Sequence, residues 1–327
     1  MNILITGGAG YIGSNVAFLL IDKGHKVTII DNLVTGTEKV IPKEANFLNA
    51  DISDIKKVTK LLQSNSFNLV MHFAGLVRVE ESIKYPEKYN LYNIEKAKIF
   101  FKTCFDNGIS KVIFSSTASV YGKNNKKDKV KETDKIEILN PYAFTKHEVE
   151  KYLLDVSSKN EISCIILRYF NVAGADEKQR SGLLAKNSNN LIKVVCEVAT
   201  KRRDKIIVNG SDYETPDGTP VRDFIHISDL AEIHATVGEH INIKKDSGIY
   251  NCGYGEGYSV QEVISKMKEI SEDKIEFELG PRRNGDIPYS VADNNKFKKK
   301  FNWNPKHNDL KYILKSALNW EKNLNKK

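Results

Sequence analysis

Ile3-Leu4-Ile5-Thr6-Gly7-Gly8-Ala9-Gly10-Tyr11-Ile12-Gly13 decides the fold of this chain. Residues 3–6 form a short apolar run that reads as a buried strand, and residues 14–23 have helical spacing. Between them stand Gly7, Gly10 and Gly13, and Gly8-x-Gly10-x-x-Gly13 also fits the common dinucleotide fingerprint. Glycines at such positions allow a tight turn and let backbone N–H groups approach a pyrophosphate at a helix N-terminus. A second strand, 26–30, ends in Asp31. A carboxylate there accepts hydrogen bonds from an adenosine ribose diol and repels a 2′-phosphate, which favours NAD over NADP. The plainer alternative is a glycine-rich structural turn. The strand, helix and terminal aspartate around the loop argue against it.

Strand and helix go on alternating. Strands are predicted at 46–50, 69–73, 111–115 and 163–167. Helices are predicted at 55–63 and 87–106, and a further helix carries Tyr142 and Lys146 to about residue 157. Such alternation implies a parallel sheet wrapped by helices. The expected class is α/β, an NAD-binding Rossmann fold (a doubly wound parallel sheet) with a smaller mixed α/β substrate-binding lobe. Ligands of such sheets bind beyond the carboxyl ends of the strands. Asp31, Asp51, Phe73, Thr117 and Tyr169 lie at or just past strand ends and are expected to line one crevice. After residue 170 the pattern loosens. Gly and Pro punctuate 212–220, and helices are expected at 190–202, 227–239, 260–271 and 309–323. The predicted division is a dinucleotide-binding domain over 1–170, with a segment near 222–250 returning to it, and a substrate lobe formed mainly by 171–327.

Ser115-Ser116-Thr117 is followed by Tyr142-Ala-Phe-Thr-Lys146. A tyrosine and a lysine four apart on a helix share one face, so an ammonium there can hold a phenolate. A hydroxyl closing the upstream strand can meet the same reacting atom. Downstream of a dinucleotide loop, this arrangement points to redox chemistry at a carbinol. For Thr117 the plainer alternative, a strand-end hydroxyl bonded to backbone, stays open.

Composition narrows the field. The chain has 327 residues, 40% of them hydrophobic, enough for one large or two modest domains. No apolar run approaches the ~20 residues of a membrane span. The first strand follows Met1 directly, so no leader is expected and the cytoplasm is the predicted location. The four cysteines (Cys104, Cys164, Cys196, Cys252) are scattered, without metal or disulfide spacing. The net charge is +8, but its lysines concentrate at 123–131, at 296–300 and at the C-terminus without interleaved aromatics. They read as solvated segments, and nucleic acid is not an expected partner.

Taken together the motifs resemble the extended short-chain dehydrogenase/reductase family, in its UDP-glucose 4-epimerase branch, nearly end to end. The carriers are the loop Thr6 to Gly13, Asp31-Asn-Leu33, His72-Phe-Ala-Gly75, Ser115-Ser-Thr-Ala-Ser-Val-Tyr-Gly122, Asn140-Pro-Tyr142 with Lys146, and Leu167-Arg-Tyr-Phe-Asn171. Later come Asn189-Asn-Leu191, Asp212-Tyr-Glu-Thr-Pro-Asp-Gly-Thr219 with Val221-Arg-Asp223, and Pro281-Arg-Arg-Asn-Gly-Asp286. The early motifs belong to the whole superfamily; the segment from Asp212 onward is specific to the epimerase branch.

The resemblance implies a catalytic trio of Tyr142, Lys146 and Thr117. Tyr142 takes the proton of the sugar's 4-hydroxyl while C4 gives hydride to NAD, and hydride returns to the other face after the keto sugar turns over. Free tyrosine has a pKa of about 10, and Lys146 with the positive nicotinamide is expected to lower it. NAD is implied to contact Gly7, Gly10, Tyr11, Ile12, Gly13, Asp31, Asn32 and Tyr142, with Lys146 bonding its nicotinamide ribose. Asp51 and Ile52 match the pair at the adenine, with the carboxylate accepting from the exocyclic amine. Phe73, Ala74 and Gly75 match the loop beneath the cofactor, and Tyr169 its nicotinamide end. For the UDP-sugar, Arg222 and Arg283 match phosphate-binding arginines, Asn171 and Asn190 match asparagines near the sugar and diphosphate, and Asp286 matches an acid at the uridine ribose. Strict UDP-glucose epimerases carry a tyrosine where this chain has Ser290. A serine leaves room for a 2-acetamido group, unless Tyr289 fills the space through a one-residue shift. Two departures concern the cofactor: Val77 replaces a common lysine, with Arg78 beside it, and Tyr92 replaces one of two asparagines, leaving Asn93. No metal is implied, and a homodimer built on the 87–106 helix and the Tyr142 helix is expected. The rivals are a nucleotide-sugar 4,6-dehydratase, which needs an acidic pair where Ala118 and Ser119 stand, and a non-catalytic NAD-sensing regulator.

Overall fold

The computed structural model describes residues 1–123, 128–185, 188–241, 246–271, 275–283 and 285–324. The chain folds as two compact units. The first comprises Met1–Val120, Ile136–Arg168 and Ala231–Tyr250; the second comprises Tyr121–Lys135, Tyr169–Leu230 and Asn251–Lys327.

The first unit is built on β1 (Asn2–Thr6), β2 (Lys26–Asp31), β3 (Asn46–Asn49), β4 (Leu69–His72), β5 (Lys111–Thr117) and β6 (Ser163–Tyr169), joined by the strand Gly248–Cys252. The order across the sheet is Gly248–Cys252, β6, β5, β4, β1, β2, β3, and β1 to β5 run parallel. Strands buried on both faces need continuous apolar sequence, and Ile3, Leu4 and Ile5 are fully buried at its centre. The order reverses between β1 and β4, which is the switch point where doubly wound sheets bind ligands. Phe100, Phe101, Val149 and Leu153 from the covering helices pack with Leu4, Val70, Val112 and Phe114 of the strands.

The helix predicted at 87–106 is present, but it is not α-helical throughout. Pro86–Tyr89 is a short helix, Asn90–Glu95 widens to π geometry, and only Lys96–Asp106 is a regular α-helix. Single π turns recur where a side chain must be re-aimed, and this one brings Asn93 against Leu76. Pro141–Lys159, the helix of Tyr142 and Lys146, begins on Asn140, whose side chain accepts from Ala143 N–H at 2.9 Å. Proline in the first turn loses no hydrogen bond there.

The second unit holds small sheets: Asn171–Ala173 with Phe224–His226, a three-stranded sheet of Tyr258–Ser259, Val221–Arg222 and Tyr289–Ser290, and Ile206–Asn209 with Phe277–Gly280. Its helix Leu191–Ala199 is shorter than the predicted 190–202, because Asn190 caps it and Lys201 turns to φ +59°. Buried Lys193 ties that helix to Leu310–Leu324 through Glu321 at 2.7 and 2.9 Å. Of the lysine clusters, Lys299 and Lys300 are exposed at the end of Asn295–Phe301, while residues 124–127 and 325–327 lie outside the described residues. Among the described residues no helix is long and apolar enough to cross a membrane.

Candidate active site

The glycine loop is closed by steric contact. Gly7 takes φ +72°, and a Cβ there would lie 2.6 Å from Ala74 N, so the loop after β4 leaves no room for a side chain. A Cβ on Gly13 would run into the Gly7 carbonyl. Gly10 caps the helix Tyr11–Asp22 without a side-chain hydrogen bond, and its first turn holds no acidic residue. The amides of such a turn lack intrahelical acceptors and suit an anion. At the end of β2, Asp31 accepts from Ala9 N–H at 3.0 Å and Leu33 N–H at 2.8 Å, one on each oxygen. Burial pushes its carboxyl up and those two bonds oppose the shift. Glycine cradle, helix N-terminus and strand-end carboxylate together fit a dinucleotide.

Beyond β3, Asp51 accepts from Ser53 N–H and O–H, from Asn32 at 3.0 Å and from the Lys96 ammonium at 2.6 Å. Burial works to raise its carboxyl, but Lys96, Ser53 and Asn32 prevail and hold it at about 2. Ile52 packs into the apolar core. The Phe73-Ala74-Gly75 loop leaves β4 with Phe73 N–H on Thr6 O at 3.0 Å. Asn93 accepts from Leu76 N–H at 2.8 Å and donates to Leu76 O at 2.9 Å and to Thr145 at 3.1 Å, tying this loop to the Tyr142 helix. Val77, at the departed lysine position, is exposed.

The proposed catalytic trio converges in the first unit. Thr117 closes β5, donates to the Ser119 hydroxyl at 3.1 Å and accepts from Ser119 N–H at 3.2 Å, so its hydroxyl is engaged locally as a strand-end group. Lys146 is buried and donates to Ser115 O at 2.8 Å. Burial pushes its ammonium down to about 8, opposed by Glu150. The expected lowering of Tyr142 is not found in the protein alone. Burial pushes its phenol up to about 12, with only the Thr117 hydrogen bond acting downward. The physical reason is burial, while the Lys146 ammonium donates to the Ser115 carbonyl.

Beneath the trio lies a network that the sequence reading missed. Ser116 donates to Glu150 at 2.5 Å, and Arg168 grips both oxygens of Glu150 at 2.9 and 2.6 Å. Burial works to raise the Glu150 carboxyl, but Arg168, His147 and Ser116 hold it below the usual range. The available signal was spacing: Glu150 stands one turn beyond Lys146 and two beyond Tyr142, on the helix face turned to the sheet.

In the second unit Arg222 donates to Asp286 at 2.6 Å and to Val221 O at 2.9 Å, so two proposed substrate residues are partners of each other. Ser290 is the register partner of Arg222, and Tyr289 that of Val221. Alternation along a strand therefore puts Ser290 on the Arg222 face and Tyr289 on the other, with Tyr289 reaching toward Gly257. Arg283 is exposed, and its carbonyl accepts from Asp286 N–H at 3.2 Å. Asn190 turns its oxygen to Lys193 N–H as a helix cap, Asn171 pairs by backbone with Asp223, and Tyr169 is buried. Asp223, unassigned from sequence, accepts from the amides of Tyr254, Gly255 and Ala292 and clamps three segments. Burial pushes its carboxyl up to about 6 against those bonds. Its signal was an acid directly before the apolar pair Phe224-Ile225.

Known proteins resemble this chain over its whole length. Residues 3–253 match the NAD dependent epimerase/dehydratase family. A UDP-glucose 4-epimerase of Azospirillum brasilense is 39% identical over 322 residues, spanning 98% of this chain and 92% of the relative. The crystal structure of UDP-glucose-4-epimerase from Stenotrophomonas maltophila with bound NAD and formylated UDP-arabinopyranose superposes with a TM-score of 0.96 at 34% identity, covering 100% of this chain and 99% of that one. The UDP-Glc/GlcNAc 4-epimerase of Campylobacter jejuni gives 0.85 at 39% identity, covering 98% and 99%.

Proposed function

The chain belongs to the NAD dependent epimerase/dehydratase family, and from that footing we propose that it is an isomerase that inverts UDP-hexoses at C4, UDP-glucose and UDP-galactose foremost. The observation that carries the reading is Tyr142 and Lys146 one turn apart on Pro141–Lys159, with the Lys146 ammonium on Ser115 O at the end of β5, the strand that Thr117 closes. NAD, when bound, accepts hydride from C4 and gives it back to the opposite face of the keto sugar, and so leaves the cycle unchanged.

Each residue then has a task. The first unit holds NAD: the amides around Gly7, Gly10, Tyr11, Ile12 and Gly13 take the pyrophosphate, Asp31 the ribose diol, and Asn32, Asp51 and Ile52 the adenine end. Phe73, Ala74 and Gly75 support the cofactor, with Lys146 on its ribose. Tyr142 removes the 4-hydroxyl proton and returns it, and Thr117 bonds the same oxygen. Burial holds the Tyr142 phenol up, and the positive nicotinamide beside it favours the phenolate. The second unit takes the UDP-sugar: Arg222 and Arg283 the diphosphate, Asn171 and Asn190 the sugar side, Asp286 the uridine ribose. The Arg222–Asp286 contact supports a shared ligand.

Ser290 widens the substrate range. With Tyr289 on the other strand face, the serine leaves space for a 2-acetamido group, and UDP-GlcNAc/UDP-GalNAc form a second substrate pair. The protein works in the cytoplasm as a homodimer. Exposed Leu91, Ile99 and Phe144 support a contact through the π turn and the helices Lys96–Asp106 and Pro141–Lys159. Elimination as in a dehydratase lacks its acid and base, since Ala118 and Ser119 follow Thr117.

Tyr142→Phe tests the assignment. Its kcat is expected to fall by about 10²- to 10⁴-fold while bound NAD per chain stays at the wild-type level. Turnover that survives removes Tyr142 from the role; a wild type inert toward every UDP-hexose favours the sensor.

A further inference from the structure

We propose that Lys96 sets how tightly this chain holds the adenine end of its cofactor, by occupying an acceptor position on Asp51 that the adenine amine has to take over. The inference rests on the NAD reading above and concerns a residue that the family resemblance leaves without a role.

An ionised carboxylate offers about four lone-pair positions. On Asp51 all are filled from within the protein. One oxygen accepts from Ser53 N–H at 3.0 Å and from Ser53 O–H at 2.7 Å. The other accepts from the Asn32 amide at 3.0 Å and from the Lys96 ammonium at 2.6 Å. An exocyclic amine is a fifth donor, so it binds this carboxylate only when one of the four withdraws.

The four are not equally free to leave. Both Ser53 donors lie two residues along the same turn, and Asn32 sits on the short segment directly after β2. Lys96 arrives on a long side chain from the first residue of its helix. Its side chain keeps 17% of its exposure, and its ammonium stands 4.0 Å from the centre of the Tyr92 ring. An ammonium released from Asp51 can therefore turn to water while the ring keeps it close. Asp51 then trades its ion pair with Lys96 for a hydrogen bond from an uncharged donor, which weakens the hold on the cofactor. Lys96 acts as a competitor for Asp51, and Tyr92 as its rest.

The experiment follows exchange of bound NAD for isotopically labelled NAD in the protein as purified. Wild type is compared with Lys96→Met, Lys96→Arg, Asp51→Asn and the Lys96→Met/Asp51→Asn pair. Lys96→Met vacates the acceptor position, and NAD release is expected to slow by about 3- to 10-fold. Lys96→Arg keeps a cation on the carboxylate and should exchange like wild type. Asp51→Asn should release NAD faster, and adding Lys96→Met to it should then gain nothing. Near-ultraviolet circular dichroism checks the fold of each variant, and Lys96→Gln, too short to cover Asp51 in the same way, carries the same expectation as Lys96→Met. Release from Lys96→Met at or above the wild-type rate overturns the proposal, as does a gain that persists with Asn at 51. A wild type that contains no NAD and takes up none when it is supplied overturns the cofactor reading instead.

Discussion

Arg168→Met should damage the first unit more than any surface change, and in a pH-dependent way. Arg168 is 2% exposed and Glu150 is 1% exposed, and the guanidinium grips both carboxylate oxygens. Removing the cation leaves a buried carboxylate with only Ser116 and His147 as donors. Breaking a buried pair from one side costs about 3–5 kcal/mol. For a unit of this size that corresponds to a fall in melting temperature of roughly 6–20 °C. The sign of the pH dependence also turns over. In the wild type Glu150 lies below its unfolded value, so its contribution is present above about pH 4.5 and fades as pH falls through the folded pKa. In Arg168→Met, burial outweighs the donors that remain and raises the folded pKa of Glu150 above the unfolded one, so the Glu150 contribution is highest below pH 4.5 and is lost as pH rises. Thermal unfolding at a series of pH values reads both effects. Glu150→Gln added to Arg168→Met should recover much of the loss, because no charge is left buried. A drop below about 1 kcal/mol, or a variant whose pH slope matches wild type, would refute the view that this pair is a buried, ionised support for the β5 terminus.

Three further outcomes follow from single residues. Gly7→Ala places a Cβ 2.6 Å from Ala74 N at a positive φ, so the protein should emerge from purification with little bound NAD, read as NAD per chain, and be destabilised by about 1–3 kcal/mol. Ser290→Tyr should reduce kcat/KM on UDP-GlcNAc by about 10-fold or more while moving that on UDP-glucose by less, because a methylene-scale clash in a pocket is worth about 10- to 200-fold; equal losses on both sugars would contradict the pocket argument. Burial pushes His72 and His226 down to about 3, so below about pH 6.5 the unfolded chain binds protons that the folded one refuses. Stability should therefore decline from pH 6.5 downward, measured as the urea midpoint, and His72→Gln should flatten part of that decline.

Much of the first unit was legible because its physics is local. A fully buried parallel strand has to be apolar throughout, as 3–6 are, and the glycine loop leaves no alternative to a tight turn. The shared helix face of Tyr142 and Lys146 and the strand-end place of Thr117 were legible from spacing. What escaped has non-local causes. The π turn at 90–95 arises because Asn93 has to meet Leu76 and Thr145, which no periodicity announces. Glu150 and Arg168 lie on a helix and a strand whose pairing appears only after folding. The rise of the Tyr142 phenol depends on burial and on where Lys146 points, and a motif specifies neither. Lys96 and Asp51 are 45 residues apart and meet only in space.

The central claim is that a cofactor held by the chain oxidises and re-reduces the same sugar carbon. Purified protein with no added NAD, given UDP-glucose deuterated at C4 in ordinary water, tests it directly. The account predicts UDP-galactose with the deuterium retained at C4 and no net reduced cofactor released. Loss of deuterium to solvent, or no conversion even after NAD is supplied, would contradict it.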